Sequence, residues 1–223
     1  MPDDPLGEPI DEMAELALVA VAAAVTAPIG GIGGLLVEGV IAWHNNISMR
    51  KWIAAADAAL EAHGRRLDPD DPLAIAAFNR FTIGALQTTR QEKREYLAEA
   101  LANCGSNRPT PDFLQEMFAD AAVRYSVEHV TLLYIAAEPA QWLSQVGRDL
   151  ADINRDFAAV LPGSVFEGID EWELLFDTIW TDLYNDGMIM NRPGPGMNLG
   201  GLRPMVTTKG RRFLRFLGRE AEM

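Results

Sequence analysis

DEWELLFDTIWTDLYNDG, residues Asp170–Gly187, is the stretch whose reading decides the fold class. Trp172, Leu175, Phe176, Ile179, Trp180 and Leu183 recur at three- and four-residue spacing, so they line one face of a helix with carboxylates between them. Asp170 stands where an N-cap accepts from the free amides of the first turn, and Gly187 where a helix leaves through left-handed backbone. The same period governs most of the chain, and no run alternates long enough to predict a strong strand.

C-terminal to this helix, residues 191–204 are rich in proline and glycine and predict either a mobile loop or a tip between two short strands. Thr207 or Thr208 then starts a final helix through Phe213, Leu214 and Leu217. On the N-terminal side, Leu36, Val40, Trp43 and Ile47 form a stripe that breaks at Asn45–Asn46. It resumes with Met49, Ile53, Ala56 and Leu60 before Gly64. Asp71 and Pro72 read as N-cap and first residue of a helix with Ile75, Phe78 and Phe81. Thr89 with Glu92 spells a capping box ahead of Leu97, Ala100, Leu101 and Cys104. Thr110–Pro111 and Ser126 open two more helices, Pro139 breaks the second of them, and Leu143–Ile153 carries another stripe. The expectation is a mainly α, multi-helical fold with a small β-hairpin near the C-terminus.

The 223 residues are enough to bury a substantial core, and 48% hydrophobic against 23% charged is a globular composition. A formal net charge of −13 repels nucleic acid and anionic lipid except at a local basic patch. A single cysteine, Cys104, excludes an internal disulfide framework and fits a reducing compartment. Asp3, Asp4, Glu8, Asp11 and Glu12 are incompatible with the positive start of a secretory signal.

Leu16–Val37 holds 22 consecutive residues without a charge, close to the length of a membrane span. Alanine contributes little transfer energy, and Pro28 with four nearby glycines interrupts the run, which therefore predicts a helical hairpin. Leu16, Val19, Val21, Ile29, Ile32, Leu35 and Leu36 are its candidates for membrane or partner contact. Burial within protein, including a second subunit, and contact with a membrane surface both remain open; the expected location is cytoplasmic, with the inner face of the membrane as the alternative.

The near-motifs for chemistry each fail at a nameable residue. Leu36 stands where a dinucleotide loop needs its third glycine, and Leu73 where a calcium loop needs one. His44, His63 and His129 lack helical metal-ligand spacing, and Cys104 lies on an apolar stripe rather than beside a base. No catalytic residue, cofactor site or metal site is expected, and the chain reads as non-enzymatic.

Residues 202–223 carry Arg203, Lys209, Arg211, Arg212, Arg215 and Arg219 against Glu220 and Glu222. Such segregation of charge marks Lys209, Arg211, Arg212 and Arg215 as candidates for an anionic partner. The alternative is equally physical: cations complement a helix C-terminus and pair with acidic faces of their own protein.

VEHVTLLYIAAEP (127–139), WTDLYNDGMIM (180–190) and VTTKGRRFLRFL (206–217) together resemble a winged-helix domain: first helix, end of recognition helix with wing strand, and return strand with closing helix. The resemblance implies a division into an apolar hairpin and long helix (1–64), a central helical region (65–125) and a winged-helix-like region (126–223). It also implies a transcriptional regulator as the alternative function. A recognition helix bearing Asp170, Glu171, Glu173, Asp177, Asp182 and Asp186 without one cation is repelled by phosphates, which disfavours a nucleic-acid partner. Over more of the chain, the apolar N-terminal segment, TTRQEKREYLAEALANC (88–104) and SVEHVTLLYIAAEP (126–139) resemble helical proteins of the bacterial abortive-infection alpha type. That resemblance implies a helical interaction protein in phage defence, working through a protein partner or homo-oligomer and in contact with the membrane.

Overall fold

A computed structural model of the chain describes the backbone of residues 32–106, 108–145, 172–190 and 204–219. The described residues are mainly helical, in eight helices. Cα proximity divides the chain into two compact units, residues 1–123 and 124–223.

In the N-terminal unit, α1 (Ile32–Ala62), α2 (Pro72–Leu86) and α3 (Gln91–Ala102) pack on one another, followed by α4 (Asp112–Arg124), whose last residue belongs to the second unit. Ala56, Ala59, Ala98 and Ala100 are buried, and side chains this small let helix backbones approach closely. Trp52, Phe78, Phe81, Leu97 and Leu101 fill the remaining core, each contributing roughly 1.5–3 kcal/mol by leaving water. The one polar atom Trp52 carries inward is satisfied, its indole N–H donating to Thr82 Oγ1 at 2.9 Å.

Three local features depart from the sequence expectation. α1 runs unbroken through Asn45 and Asn46. Asparagine inside a helix costs only roughly 0.7 kcal/mol relative to alanine, and the apolar pattern on both sides carries the helix through. Gly33 and Gly34, expected in a turn, lie in the same helix, while the preceding part of the hairpin lies outside the described residues. The Thr89–Glu92 capping box does not form either. α3 starts after Arg90, without a side-chain cap. The buried Arg94 guanidinium instead takes the carbonyls of Thr88 and Thr89, which turns the connection and delays the helix.

Other signals act as read. Asp71 accepts from the amides of Leu73 and Ala74 with Pro72 first in α2, and Gly64 leaves α1 at φ +60°. Cys104 is buried, and that burial pushes its thiol up to about 12.

The C-terminal unit holds α5 (Val127–Ala137), α6 (Pro139–Gln145), α7 (Trp172–Asn185) and α8 (Thr208–Phe216), with α7 and α8 both packed on α5. Pro139 breaks the chain between α5 and α6, as its missing N–H requires. Leu132, Leu133, Ile179, Trp180, Leu183, Phe213 and Leu214 are buried, while the Asp170 cap and most of the stripe from Leu143 lie outside the described residues. After Gly187 (φ +68°) the chain returns on itself. Ile189 and Val206 form one antiparallel bridge, with Thr207 N–H donating to Met188 O at 2.9 Å and Met190 N–H to Met205 O at 2.8 Å. Among the described residues the expected β-hairpin is this single bridge, without strands. Thr207 caps α8, its Oγ1 accepting from Gly210 N at 3.0 Å.

Candidate functional site

The four candidate cations on α8 divide into two pairs. Lys209 Nζ donates to the Asp186 carbonyl at 2.6 Å, where α7 has just ended and its carbonyls lack helical partners. Arg211 lies 3.8 Å from Glu138, at the α5–α6 break. Arg212 and Arg215 are exposed. Half of the basic cluster therefore closes the fold of its own unit, and half faces solvent.

The acidic residues of α7 divide in the same way. Asp186 accepts from the Tyr125 hydroxyl and pairs with Arg124 at 2.7 Å; Asp182 faces His129 Nε2 at 3.4 Å. Burial first, and the bond to Asp186 second, hold the Tyr125 phenol well above its ordinary pKa. The Tyr125 ring stacks on the His129 imidazole with centroids 4.9 Å apart and meets Phe213 edge-on. The outer face of α7 carries the exposed Asp177, and the Asp182 side chain beside His129 is also 46% exposed. That face carries no cation. What it presents is Leu174 (66% exposed) and Tyr184 (50%) along one side, with Thr178 and Thr181 between, and Met190 (53%) beyond its end.

Ser126, His129 and Asp182 form a series the sequence reading missed, because Asp182 is 53 positions from His129. The residue types are those of an acyl-transfer triad, and the same contacts close the start of α5. His129 occupies the third helical position after the Ser126 N-cap, and its Nδ1 accepts the Ser126 backbone N–H at 3.2 Å, with Ser126 Oγ 2.9 Å away. The ring thus replaces the usual Glu or Gln of a capping box. Its basic nitrogen is occupied by the cap, and its other nitrogen ties α5 to α7.

In the N-terminal unit a cavity of about 290 Å³ lies between the end of α1, the start of α2 and the connection after α3. Arg65, Arg66, Arg108, Asp68, Asp71 and Cys104 are among its walls. Among the described residues no three His, Cys, Asp or Glu side chains converge to hold a metal, and no helix is long and apolar enough to cross a membrane. Of the seven apolar candidates, Leu16, Val19, Val21 and Ile29 lie outside the described residues, and Ile32, Leu35 and Leu36 lie in the first turns of α1. Comparison with protein-family models, with curated proteins and with solved structures finds no match.

Proposed function

We propose that this chain is a non-enzymatic helical interaction protein whose C-terminal unit binds a protein partner through the outer face of α7. The observation that carries the reading is the composition of that face: two large exposed apolar side chains, Leu174 and Tyr184, with Met190 beyond them, threonines between and no cation. Exposed apolar side chains grouped on one face suit protein contact, and the lack of cations suits neither phosphate nor anionic lipid. With Asp177 beside it and a chain charge of −13, the surface fits a partner with an apolar centre and a basic rim. The order α5, α7, bridge and α8 supports a winged-helix-like arrangement turned to this use. A place in phage defence rests on the resemblance to abortive-infection proteins.

The exposed Arg212 and Arg215 favour one rival, a regulator holding nucleic acid through α8. Three preparations decide between them. The wild-type chain and the Leu174→Asp/Tyr184→Asp variant are each purified from the source cells and also titrated with duplex DNA. The proposal expects a stoichiometric protein partner on the wild type, lost at least tenfold in the variant, which corresponds to about 1.4 kcal/mol, with an unchanged circular-dichroism melt. Duplex retardation at low salt that survives this variant but vanishes in Arg212→Ala/Arg215→Ala would instead establish the regulator.

A further inference from the structure

We propose that the cavity between the end of α1, the start of α2 and the α3–α4 connection is a binding site for a small phosphate-bearing molecule, held by Arg65 and Arg108 with Arg66 at its rim. This inference is independent of the α7 reading. Four arginines pair with carboxylates, Arg80 with Asp120, Arg90 with Glu92, Arg124 with Asp186 and Arg211 with Glu138. Among the described residues Arg65, Arg66 and Arg108 form no ion pair, yet all three line one cavity.

Two of them are also held in place by neutral acceptors. Arg65 Nη1 donates to the Ala102 carbonyl and to Asn103 Oδ1 at 2.9 Å, and Arg108 Nε donates to the Cys104 carbonyl at 3.1 Å. These bonds fix the guanidiniums and leave further N–H groups of each for a ligand. Fixing them there has a cost in repulsion: Arg65's pKa is lowered by burial first and by the charge of Arg108 second. An oxyanion between them removes that repulsion.

Asp68 and Asp71 also line the cavity, but their hydrogen bonds go to backbone and serine donors rather than to the arginines, which outnumber them three to two. Glu99, whose charge Arg65 feels, lies 2.8 Å from His63. Asp71 accepts from Leu73 N, Ala74 N, Ser106 N and Ser106 Oγ, and Asp68 Oδ1 accepts from Asp70 N at 2.9 Å. Two anchored guanidiniums match the several acceptor oxygens of a phosphate better than a single charge does. The volume of about 290 Å³ is at the small end for ligand sites, so the molecule is a phosphate monoester with a compact body against Leu60, Leu67 and Ala74.

The test uses the full chain at constant ionic strength, with inorganic phosphate and glycerol phosphate as probes and sodium chloride as control. For a Kd near about 1 mM, about 20 mM of either probe raises the thermal midpoint by roughly 3–6 °C. Arg65→Gln and Arg108→Gln each remove most of that rise, and phosphorus NMR line broadening reports binding directly for whichever variant retains the wild-type melt. A larger effect of glycerol phosphate than of phosphate shows that the organic body is read as well. An equal rise with chloride, no rise with either probe, or an undiminished rise in both variants overturns the proposal.

Discussion

Lys93 is buried on α3, and its Nζ donates to the Ala122 carbonyl in the last turn of α4, where backbone acceptors lack helical partners. The same burial lowers its pKa to about 8 from an ordinary 10.5. Between those values the unfolded chain binds more protons than the folded one, so folding stability rises with pH across that window. Compared with Lys93→Met, the wild type gains on the order of 1–3 kcal/mol between pH 8 and 10.5. Urea unfolding of both proteins at several pH values measures the difference; a constant difference contradicts the assignment. Taking the variant as reference matters, because Cys104, raised to about 12, acts in the opposite direction above its ordinary value of 9. The sequence marked Cys104 as a small buried hydrophobe from its stripe, and burial is what protects its thiol.

At the scale of elements, the ends of helices were the most legible feature, and two glycines show where legibility stopped. Asp71 was readable as a cap from the proline after it, but its bonds to Ser106 were not, since Ser106 is 35 positions away. Gly105 completes that junction: at φ +125° a side chain is strained, and a Cβ would stand 2.9 Å from Asp71 Oδ2. Gly210 does the same for α8. Although it lies inside a helix, where alanine is intrinsically better, a Cβ there would stand 2.2 Å from the Met188 carbonyl oxygen and 2.6 Å from Val206 Cγ2. Gly210→Ala must push α8 away from the Ile189–Val206 bridge, costing roughly 2–3 kcal/mol despite the gain in helix propensity. Thermal unfolding monitored by tryptophan emission tests this, and a variant as stable as wild type would falsify the close packing. The Thr89–Glu92 motif is a related case: α3 starts without that cap, and the Thr88 and Thr89 carbonyls meet the Arg94 guanidinium instead.

For the molecule as a whole, the uncharged run Leu16–Val37 makes a separate claim from the α7 surface. Fractionation of the full chain beside a form lacking residues 1–45 discriminates its two readings. Sedimentation of the full chain alone with membranes, reversed only by detergent, assigns the run to lipid; recovery of both in the supernatant, with the longer form at higher mass by light scattering, assigns it to a subunit interface. Residue order by itself determined the helical class, most helix ends and the apolar stripes of α2, α3, α5 and α7, because each depends on residues within about four positions of one another. Only tertiary structure decided which charges are available. Lys209 and Arg211 carried the strongest local signal, and the fold binds them to Asp186 and Glu138. Arg65 and Arg108 carried none, yet they line one cavity from 43 positions apart. A charge is released or engaged by whatever packs against it, and that neighbour is set by the fold rather than by the adjacent sequence.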